Sequence, residues 1–221
     1  MPSPASPHIQ PFTLGDFMTN CFVVTVPGGE DPGACWIVDC GFDPEPMFRH
    51  IDEEGLKPAA LLLTHAHADH IAGVDAALGR YGKLPMYLHE AERGFCSDSM
   101  LNLSGMMGMH VTCSEPDHWL ADGQTLEFNG TSWRVVHTPG HSPGCVLFIH
   151  DESNQAIVGD TLFAGSIGRI DFPTSDPAAM RHTIHEIMMN LPDKMTIYPG
   201  HMTPTTIGAE RRGNPFVLGG F

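Results

Sequence analysis

Four side chains able to bind a metal ion fall within six residues, directly after an apolar stretch. Residues 59–64 form that stretch, as expected for a strand buried on both faces of a sheet. His65, His67, Asp69 and His70 follow at once. Neutral imidazoles and carboxylates bind zinc, iron or manganese, and a turn from strand to helix lets closely spaced residues converge. The pattern predicts a metal-binding loop at the end of a buried strand.

Three further candidate ligands stand in the same position at other strands. His141, Asp160 and His201 each follow an apolar run and lie beside a glycine. The chain has 14 histidines, and most histidines in proteins bind no metal, so spacing rather than number carries the prediction. Open α/β sheets place ligands beyond the carboxyl ends of their strands. We therefore expect the four loops to lie along one sheet edge.

The remaining pattern predicts strands alternating with helices. Asn129-Gly130 predicts a hairpin between residues 125–128 and 132–136. Helices are expected from Asp43-Pro44 to Gly55, with Asp43 as the N-cap and Pro44 at the first helical position, over residues 71–79, and from Asp176-Pro177 onward. One core is expected, so residues 1–221 are predicted to form a single α/β domain, with residues 1–8 as a flexible N-terminus.

A methionine-rich segment, residues 93–122, has no clear pattern. It contains Met100, Met106, Met107 and Met109. One interpretation is a pair of helices that pack in the core, since methionine fills irregular gaps. The other is a lid or substrate wall beside the site.

Charge and composition narrow the class of partner. The net charge is −15, from 11 Lys and Arg against 26 Asp and Glu, which disfavours nucleic acid and anionic membranes. We see no secretory signal and no run as long as a membrane span. The six cysteines contain no CxxC pair and are interpreted as reduced. We expect a cytoplasmic protein with a small-molecule substrate; the oligomeric state stays open.

The motifs resemble those of the metallo-β-lactamase-fold hydrolases. The matching segments are THAHADH, TPGHSPG, VGDTLF and YPGH, and the resemblance runs from about Asp39 in IVDCG to the C-terminal end. Within that superfamily, GDTLFAGSIGRIDFP and PTTIGAERRGNPF look most like short, single-domain relatives of glyoxalase II. The resemblance implies a four-layer αβ/βα sandwich, in which two mixed sheets pack face to face between outer helices.

The resemblance also implies a ligand set and a reaction. It places His65, His67 and His141 on a first metal, Asp69, His70 and His201 on a second, and Asp160 between them. Two divalent ions are expected, zinc in the first place, although nitrogen and oxygen donors do not separate zinc from iron or manganese. A metal-bound hydroxide would then attack an acyl carbonyl, most plausibly of a hydroxyacyl-glutathione thioester. Asp69 is the candidate catalytic residue, which orients water, or acts as a general base if only one metal is bound.

Departures from the family keep other functions open. Classical glyoxalase II has a C-terminal helical domain with basic residues for glutathione, whereas only residues 202–221 follow His201 here. One class of secreted β-lactamases has cysteine at the position of Asp160, which argues against a resistance enzyme. The rivals are a persulfide dioxygenase with one iron, whose GRxDF segment resembles residues 168–172, a lactonase that opens esters at the same site, and a catalytically silent metal-binding protein.

The other polar candidates are interpreted mainly as structural. Arg169 is a candidate for binding a substrate carboxylate, or it pairs with Asp171. Asp171 is in turn a candidate partner for a ligating histidine. Arg211 and Arg212 are expected in a solvated C-terminal turn rather than against an anionic substrate. Structural or surface positions are expected for the remaining histidines: His8, His50, His89, His110, His118, His137, His150, His182 and His185.

Overall fold

The computed structural model describes residues 6–220. The strands are His8–Leu14 (β1), Thr19–Thr25 (β2), Ala34–Val38 (β3), Lys57–Leu62 (β4), Met86–His89 (β5), His118–Leu120 (β6), Thr125–Phe128 (β7), Thr131–His137 (β8), Val146–His150 (β9), Gln155–Gly159 (β10), Leu162–Phe163 (β11), Ser166–Ile167 (β12), Thr196–Pro199 (β13) and Thr205–Thr206 (β14). The α-helices are Glu45–Glu53 (α1), Ala68–Ile71 (α2), Val74–Tyr81 (α3), Pro177–His182 (α4) and Ile207–Gly213 (α5).

Two six-stranded mixed sheets dominate the architecture. The first has the strand order β1-β2-β3-β4-β5-β6, and the second has the order β14-β13-β10-β9-β8-β7. Strands β3 to β6 are parallel neighbours, whereas β1, β2 and β3 are joined in antiparallel fashion. The small hairpin of β11 and β12 stands apart.

Side chains alternate between two cores along each central strand. On β2, Phe22 and Val24 belong to the cluster between the sheets, while Cys21 and Val23 face the cluster that contains α1 and α3. Strand β9 alternates in the same way between the inter-sheet cluster and the cluster that contains α4 and α5. Because both faces of each sheet are covered, central strands such as β2, β3 and β9 are buried along nearly their whole length, whereas edge strands such as β1 and β7 alternate buried residues with exposed ones. This confirms the four-layer αβ/βα sandwich.

The predicted helices are present with changed boundaries. Asp176 caps α4 by accepting from the Ala178 and Ala179 N–H groups at 2.8 and 3.0 Å, as predicted. The helix continues through a π-helical turn, Thr183–Ile187, and a 3₁₀ turn, Met188–Asn190. The single helix predicted over residues 71–79 is instead divided between α2 and α3. Pro44, not Asp43, is the N-cap of α1.

Other sequence predictions concern the ends and the methionine-rich segment. Of the predicted flexible N-terminus, residues 1–5 lie outside the described residues, and His8 is the first residue of β1. The prediction of a helix pair within residues 93–122 is wrong, because that segment is mostly turns, with one 3₁₀ turn at Gly105–Met107 and the short strand β6. Among the described helices, none is long and apolar enough to cross a bilayer.

Strand direction brings the four polar loops together. Strand β10 is parallel to β13, and both β8 and β10 are antiparallel to β9, so β8, β10 and β13 point the same way. Their carboxyl ends lead into His141, Asp160 and His201. Strand β4 of the facing sheet leads into His65. The four loops meet as predicted, but at an edge of the sandwich to which both sheets contribute rather than at the edge of a single sheet.

Candidate metal centre

His65, His67 and His141 bring three ring nitrogens together. The Nδ1 atom of His67 lies 3.1 Å from His65 Nε2 and 2.9 Å from His141 Nε2. The Nδ1 atom of His141 donates to the Arg169 carbonyl at 2.9 Å. The Nδ1 atom of His65 lies 3.2 Å from the Thr64 hydroxyl. Because that hydroxyl donates its proton to the buried carboxylate of Asp39, it accepts a hydrogen bond from the His65 ring. The Nε2 atoms of His65 and His141 therefore direct lone pairs toward His67.

Asp69, His70 and His201 form a second group on the other side. His70 Nε2 lies 3.6 Å from Asp69 Oδ2, and His201 Nε2 lies 3.3 Å from the same oxygen. That oxygen also accepts a hydrogen bond from the Thr19 hydroxyl at 2.7 Å, which fixes the carboxylate. His70 is fully buried, whereas Asp69 and His201 keep partly exposed side chains. Asp69 is thus the carboxylate at the edge that a substrate would reach.

Asp160 lies between the two groups. Its Oδ1 is 3.4 Å from His70 Nε2, and its Oδ2 is 3.5 Å from His141 Nε2 and 3.4 Å from His201 Nε2. One carboxylate therefore faces histidines of both groups, as expected from its predicted place between two ions.

Electrostatics keep the first group neutral. Burial, together with the neighbouring imidazoles, lowers the pKa of His65, His67 and His141. The neutral ring is the form that binds a metal ion. These three side chains are therefore ready to donate at neutral pH.

The second group is more basic. Burial opposes the charge on His201, but hydrogen bonds to Asp160 and Asp69 raise its pKa to about 9. Burial opposes the charge on His70 as well, yet the charges of Asp69, Asp39 and Asp160 raise its pKa. Without a cation, protons on these two rings balance the buried carboxylates.

The residues present fit divalent metal ions. Donor atoms lie within 4.8 Å of one another in each of three sets: His65, His67 and His141; His65, His70 and Asp160; and Asp69, His70 and His201. Within the described part of the chain, His70 Nε2 and Asp160 Oδ1 are buried here without a hydrogen-bond partner. A buried polar atom without a partner is costly, and a cation would satisfy both atoms.

Asp39, at the end of β3, is a supporting residue that sequence reasoning missed. Its carboxylate accepts from the Thr64 N–H at 2.8 Å, from the Thr64 hydroxyl at 2.7 Å and from His70 Nδ1 at 2.8 Å. The bond to His70 leaves Nε2 free of a proton in the neutral ring and directs it into the cluster. Nothing local in IVDCG marks these contacts, so the sequence around Asp39 predicts no such role.

We expect Asp39→Asn to weaken metal binding about 10- to 100-fold and to lower the free energy of unfolding by about 1–3 kcal/mol, because a fully buried carboxylate that accepts three hydrogen bonds is lost. The amide oxygen still accepts from the Thr64 N–H, but the NH₂ group opposes His70 Nδ1 and moves the ring proton to Nε2. Chelator competition and urea unfolding measure the two quantities. An unchanged metal affinity would contradict the role given to Asp39.

Glu92 joins two ligand loops from beneath. It is fully buried and accepts from the Ala66 N–H at 3.2 Å, the Gly144 N–H at 2.7 Å and the Ser142 hydroxyl. Ala66 stands between His65 and His67, while Ser142 follows His141. Burial raises the pKa of Glu92 to about 7, although the three hydrogen bonds act in the opposite direction. Sequence reasoning missed this residue too.

Glu92→Ala is predicted to lower the free energy of unfolding by about 3–5 kcal/mol, because three buried donors lose their acceptor. Urea unfolding checks the value. The matched control is Glu90→Ala, two residues earlier in the same 3₁₀ turn and exposed, for which we expect a change within about 0.5 kcal/mol. Equal changes in the free energy of unfolding of the two variants would contradict the prediction.

Two glycines allow the loops to approach closely. Gly159 has φ +47°, and a Cβ there would lie 2.6 Å from the Thr64 hydroxyl oxygen. A Cβ at Gly200 would collide with Asp160 Oδ1 and lie 2.8 Å from His70 Cε1. The glycines beside the predicted ligands are therefore required by packing of the site itself.

A cavity of about 480 Å³ opens onto the cluster. His67, Asp69, His141, Asp160 and His201 lie in its floor, and its walls are mainly apolar. A larger cavity, of about 640 Å³, is lined by residues such as Trp36, Tyr87 and Phe128 and touches none of the seven predicted ligands. The smaller cavity is the one that the chemistry can use.

Arg169 and Asp171 pair with each other at the rim of this cavity. Arg169 Nε and Nη2 donate to the two Asp171 oxygens at 2.9 Å each, and both side chains are exposed. The guanidinium also lies 4.2 Å from the ring centroid of Phe172. The prediction that Asp171 orients a ligating histidine is wrong, because the backbone carbonyl of Arg169 has that role for His141.

The methionine-rich segment supplies one wall of the cavity. Asn102, Leu103, Met106 and Met107 line it, as the interpretation as a substrate wall requires. Asn102 fixes the segment by donating from Nδ2 to the Phe95 and Val111 carbonyls, each at 2.9 Å.

Residues predicted to be structural are engaged away from the cluster. Arg211 donates to Asp193 at 2.8 Å and to the Met189 carbonyl at 2.7 Å. His89 and His137 stack on each other, with ring centroids 4.0 Å apart.

Comparisons with known proteins agree with this geometry. Residues 14–201 match the Metallo-beta-lactamase superfamily. Hydroxyacylglutathione hydrolase GloC of Haemophilus influenzae is 33% identical over 95% of this chain and 98% of its own. The crystal structure of BLEG-1 B3 metallo-beta-lactamase has a TM-score of 0.89 and 37% identity over 96% of this chain and all of that chain. TTHA1623 in a di-iron-bound form has a TM-score of 0.82 and 35% identity over 94% of this chain and 99% of that chain. This chain belongs to the metallo-beta-lactamase superfamily.

Proposed function

We propose that the protein is a metal-dependent hydrolase that cleaves acyl thioesters, as glyoxalase II-like enzymes do. The observation that carries the proposal is the convergence of five imidazoles and two carboxylates at the base of one cavity, which three of the imidazoles and both carboxylates line. His65, His67 and His141 would bind a first ion, Asp69, His70 and His201 a second, and Asp160 both. Zinc is our first choice, with iron supported by the di-iron form of TTHA1623.

When bound, divalent ions lower the pKa of water and polarise a carbonyl. The chain's own residues then have distinct tasks. Asp69, fixed by the Thr19 hydroxyl and partly exposed to the cavity, orients the attacking water, and it accepts the proton of that water if only one ion is bound. His70 and His141 are held in position by Asp39 and by the Arg169 carbonyl. Water adds to the acyl carbon, the carbon–sulfur bond breaks, and the products are a carboxylic acid and a thiol.

The test combines metal content with turnover. Protein purified without chelator is analysed for metals per chain and assayed with a thioester, a lactone and a β-lactam. Oxygen uptake is measured with glutathione persulfide. Two ions per chain with thioester turnover support the proposal. A single iron with oxygen uptake would identify a dioxygenase instead, and preferred turnover of the β-lactam would place the activity with that named for BLEG-1.

A further inference from the structure

Exposed apolar side chains surround the mouth of the site. Seven large hydrophobic residues are exposed among those the structure describes, and five of them line two cavities that share His201: Phe17, Met18, Met106, Met107 and Met202. Scattered exposed hydrophobic residues need no explanation, but a contiguous group marks a binding surface. This group lies beside the candidate metal ligands.

The walls are built of side chains that adapt to flexible apolar ligands. Leu103, Met106 and Met107 stand on one side of the cavity, and Phe17, Phe163 and Phe172 complete its apolar lining. Methionine is unbranched and polarisable, so it packs against varied shapes. Met106 and Met107 are about half exposed, at 54% and 46%, which leaves area for a ligand to cover.

The side chains that the structure describes in the cavity wall offer no basic partner to an anionic ligand. Of the lysines and arginines, Arg169 is the one among the described residues that line it, and Asp171 already binds that guanidinium through both oxygens. The carboxylates of Asp69 and Asp160, which line the same cavity, would be taken up by the bound ions, so the described side chains of the wall supply no further positive charge. A tripeptide thiol such as glutathione carries two carboxylates of its own, and the wall offers these no free arginine or lysine partner among the described residues.

We propose that the substrate is an acyl thioester with an unbranched apolar acyl chain and no net negative charge on its thiol portion. This rests on the proposed thioester hydrolysis and names its substrate class. The acyl chain lies along Leu103, Met106 and Met107, with its carbonyl above Asp69 and His201. Hydrolysis releases a fatty acid and the neutral thiol, and water supplies the oxygen and both protons.

A series of N-acetylcysteamine thioesters tests the acyl chain. The acetyl, butanoyl, hexanoyl and octanoyl esters share one uncharged thiol and differ only in methylenes. We expect kcat/KM to rise about three- to fourfold for each methylene that the wall covers, so the hexanoyl ester should exceed the acetyl ester about 100-fold. S-Lactoylglutathione should be a poorer substrate than the hexanoyl ester.

Variants locate the effect on the wall. In the double variant Met106→Gln/Met107→Gln, kcat/KM should depend less on acyl chain length. The ratio of kcat/KM for the hexanoyl ester to that for the acetyl ester should fall at least tenfold. The matched control is Met100→Gln, in the same segment and equally exposed but outside the cavity lining, which should leave the series unchanged.

The outcomes separate the two proposals. If the metal-loaded protein cleaves no thioester, the proposed function fails. If it cleaves thioesters but prefers S-lactoylglutathione, or if rates fall with chain length, the inference about the substrate is overturned while thioester hydrolysis stands. A series that stays steep in the double variant would also overturn it.

Discussion

Replacing Asp69 by alanine is expected to lower kcat by about 10²- to 10⁴-fold, the range for loss of a group that transfers a proton. The carboxylate is the one in the cluster that is both open to the cavity and fixed by a neighbour, Thr19. Burial acts to raise the pKa of Asp69, but the charge of His70 and the hydrogen bond from His201 have the larger combined effect and lower that pKa. The side chain is therefore ionised at neutral pH and able to accept a hydrogen bond from water.

Two comparisons make the Asp69 result specific. Asp69→Asn keeps an oxygen to accept from Thr19 but has no charge, so we expect it to lose most of the same activity. Asp151→Ala removes an exposed carboxylate paired with Arg134 at the opposite sheet edge and should leave kcat unchanged. Steady-state kinetics are read together with metal content. Near-normal kcat in Asp69→Ala with metal retained would remove Asp69 from the reaction.

The seven candidate ligands could be predicted because each carries a local sign. Four of them lie within residues 65–70, directly after an apolar strand, and the other three each follow an apolar strand beside a glycine. Strands of one direction end at one edge. The structure explains the glycines, because a side chain at Gly200 would displace Asp160. The order of the four layers could not be predicted from local patterns. The alternation of Phe22 and Val24 with Cys21 and Val23 does not say which core belongs to which helices, and the resemblance supplied it.

The supporting residues carry no local sign. Asp39 reaches residues 25 and 31 positions away, and Glu92 reaches residues up to 52 positions away. Neither stands in a pattern with its partners along the chain, so a single sequence cannot connect them. The segment 93–122 misled for a related reason. Its shape depends on Asn102 binding two carbonyls, seven and nine residues away, and not on the spacing of its methionines.

Removal of the metal ions is expected to abolish hydrolysis, with a loss of at least about 10³-fold, and re-addition is expected to restore it. Chelator treatment followed by zinc, iron or manganese gives the measurement, and the metal that restores the highest kcat at full occupancy identifies the preferred ion. Activity that survives complete removal would contradict metal-dependent catalysis. The affinities of the two ions are expected to depend differently on pH.

Binding at Asp69, His70 and His201 competes with protons. The pKa of His201 is about 9 in the metal-free protein, and that of His70 is raised as well, so both rings are protonated at pH 7 and must lose a proton to bind. Each displaced proton makes the logarithm of the affinity rise by up to one per pH unit. His65, His67 and His141 have lowered pKa values and displace none. Between pH 6.5 and 8.5, chelator competition should therefore find one ion whose affinity rises steeply and one whose affinity is nearly constant. Equal slopes for the two ions would mean that the protons on His70 and His201 do not balance the buried carboxylates.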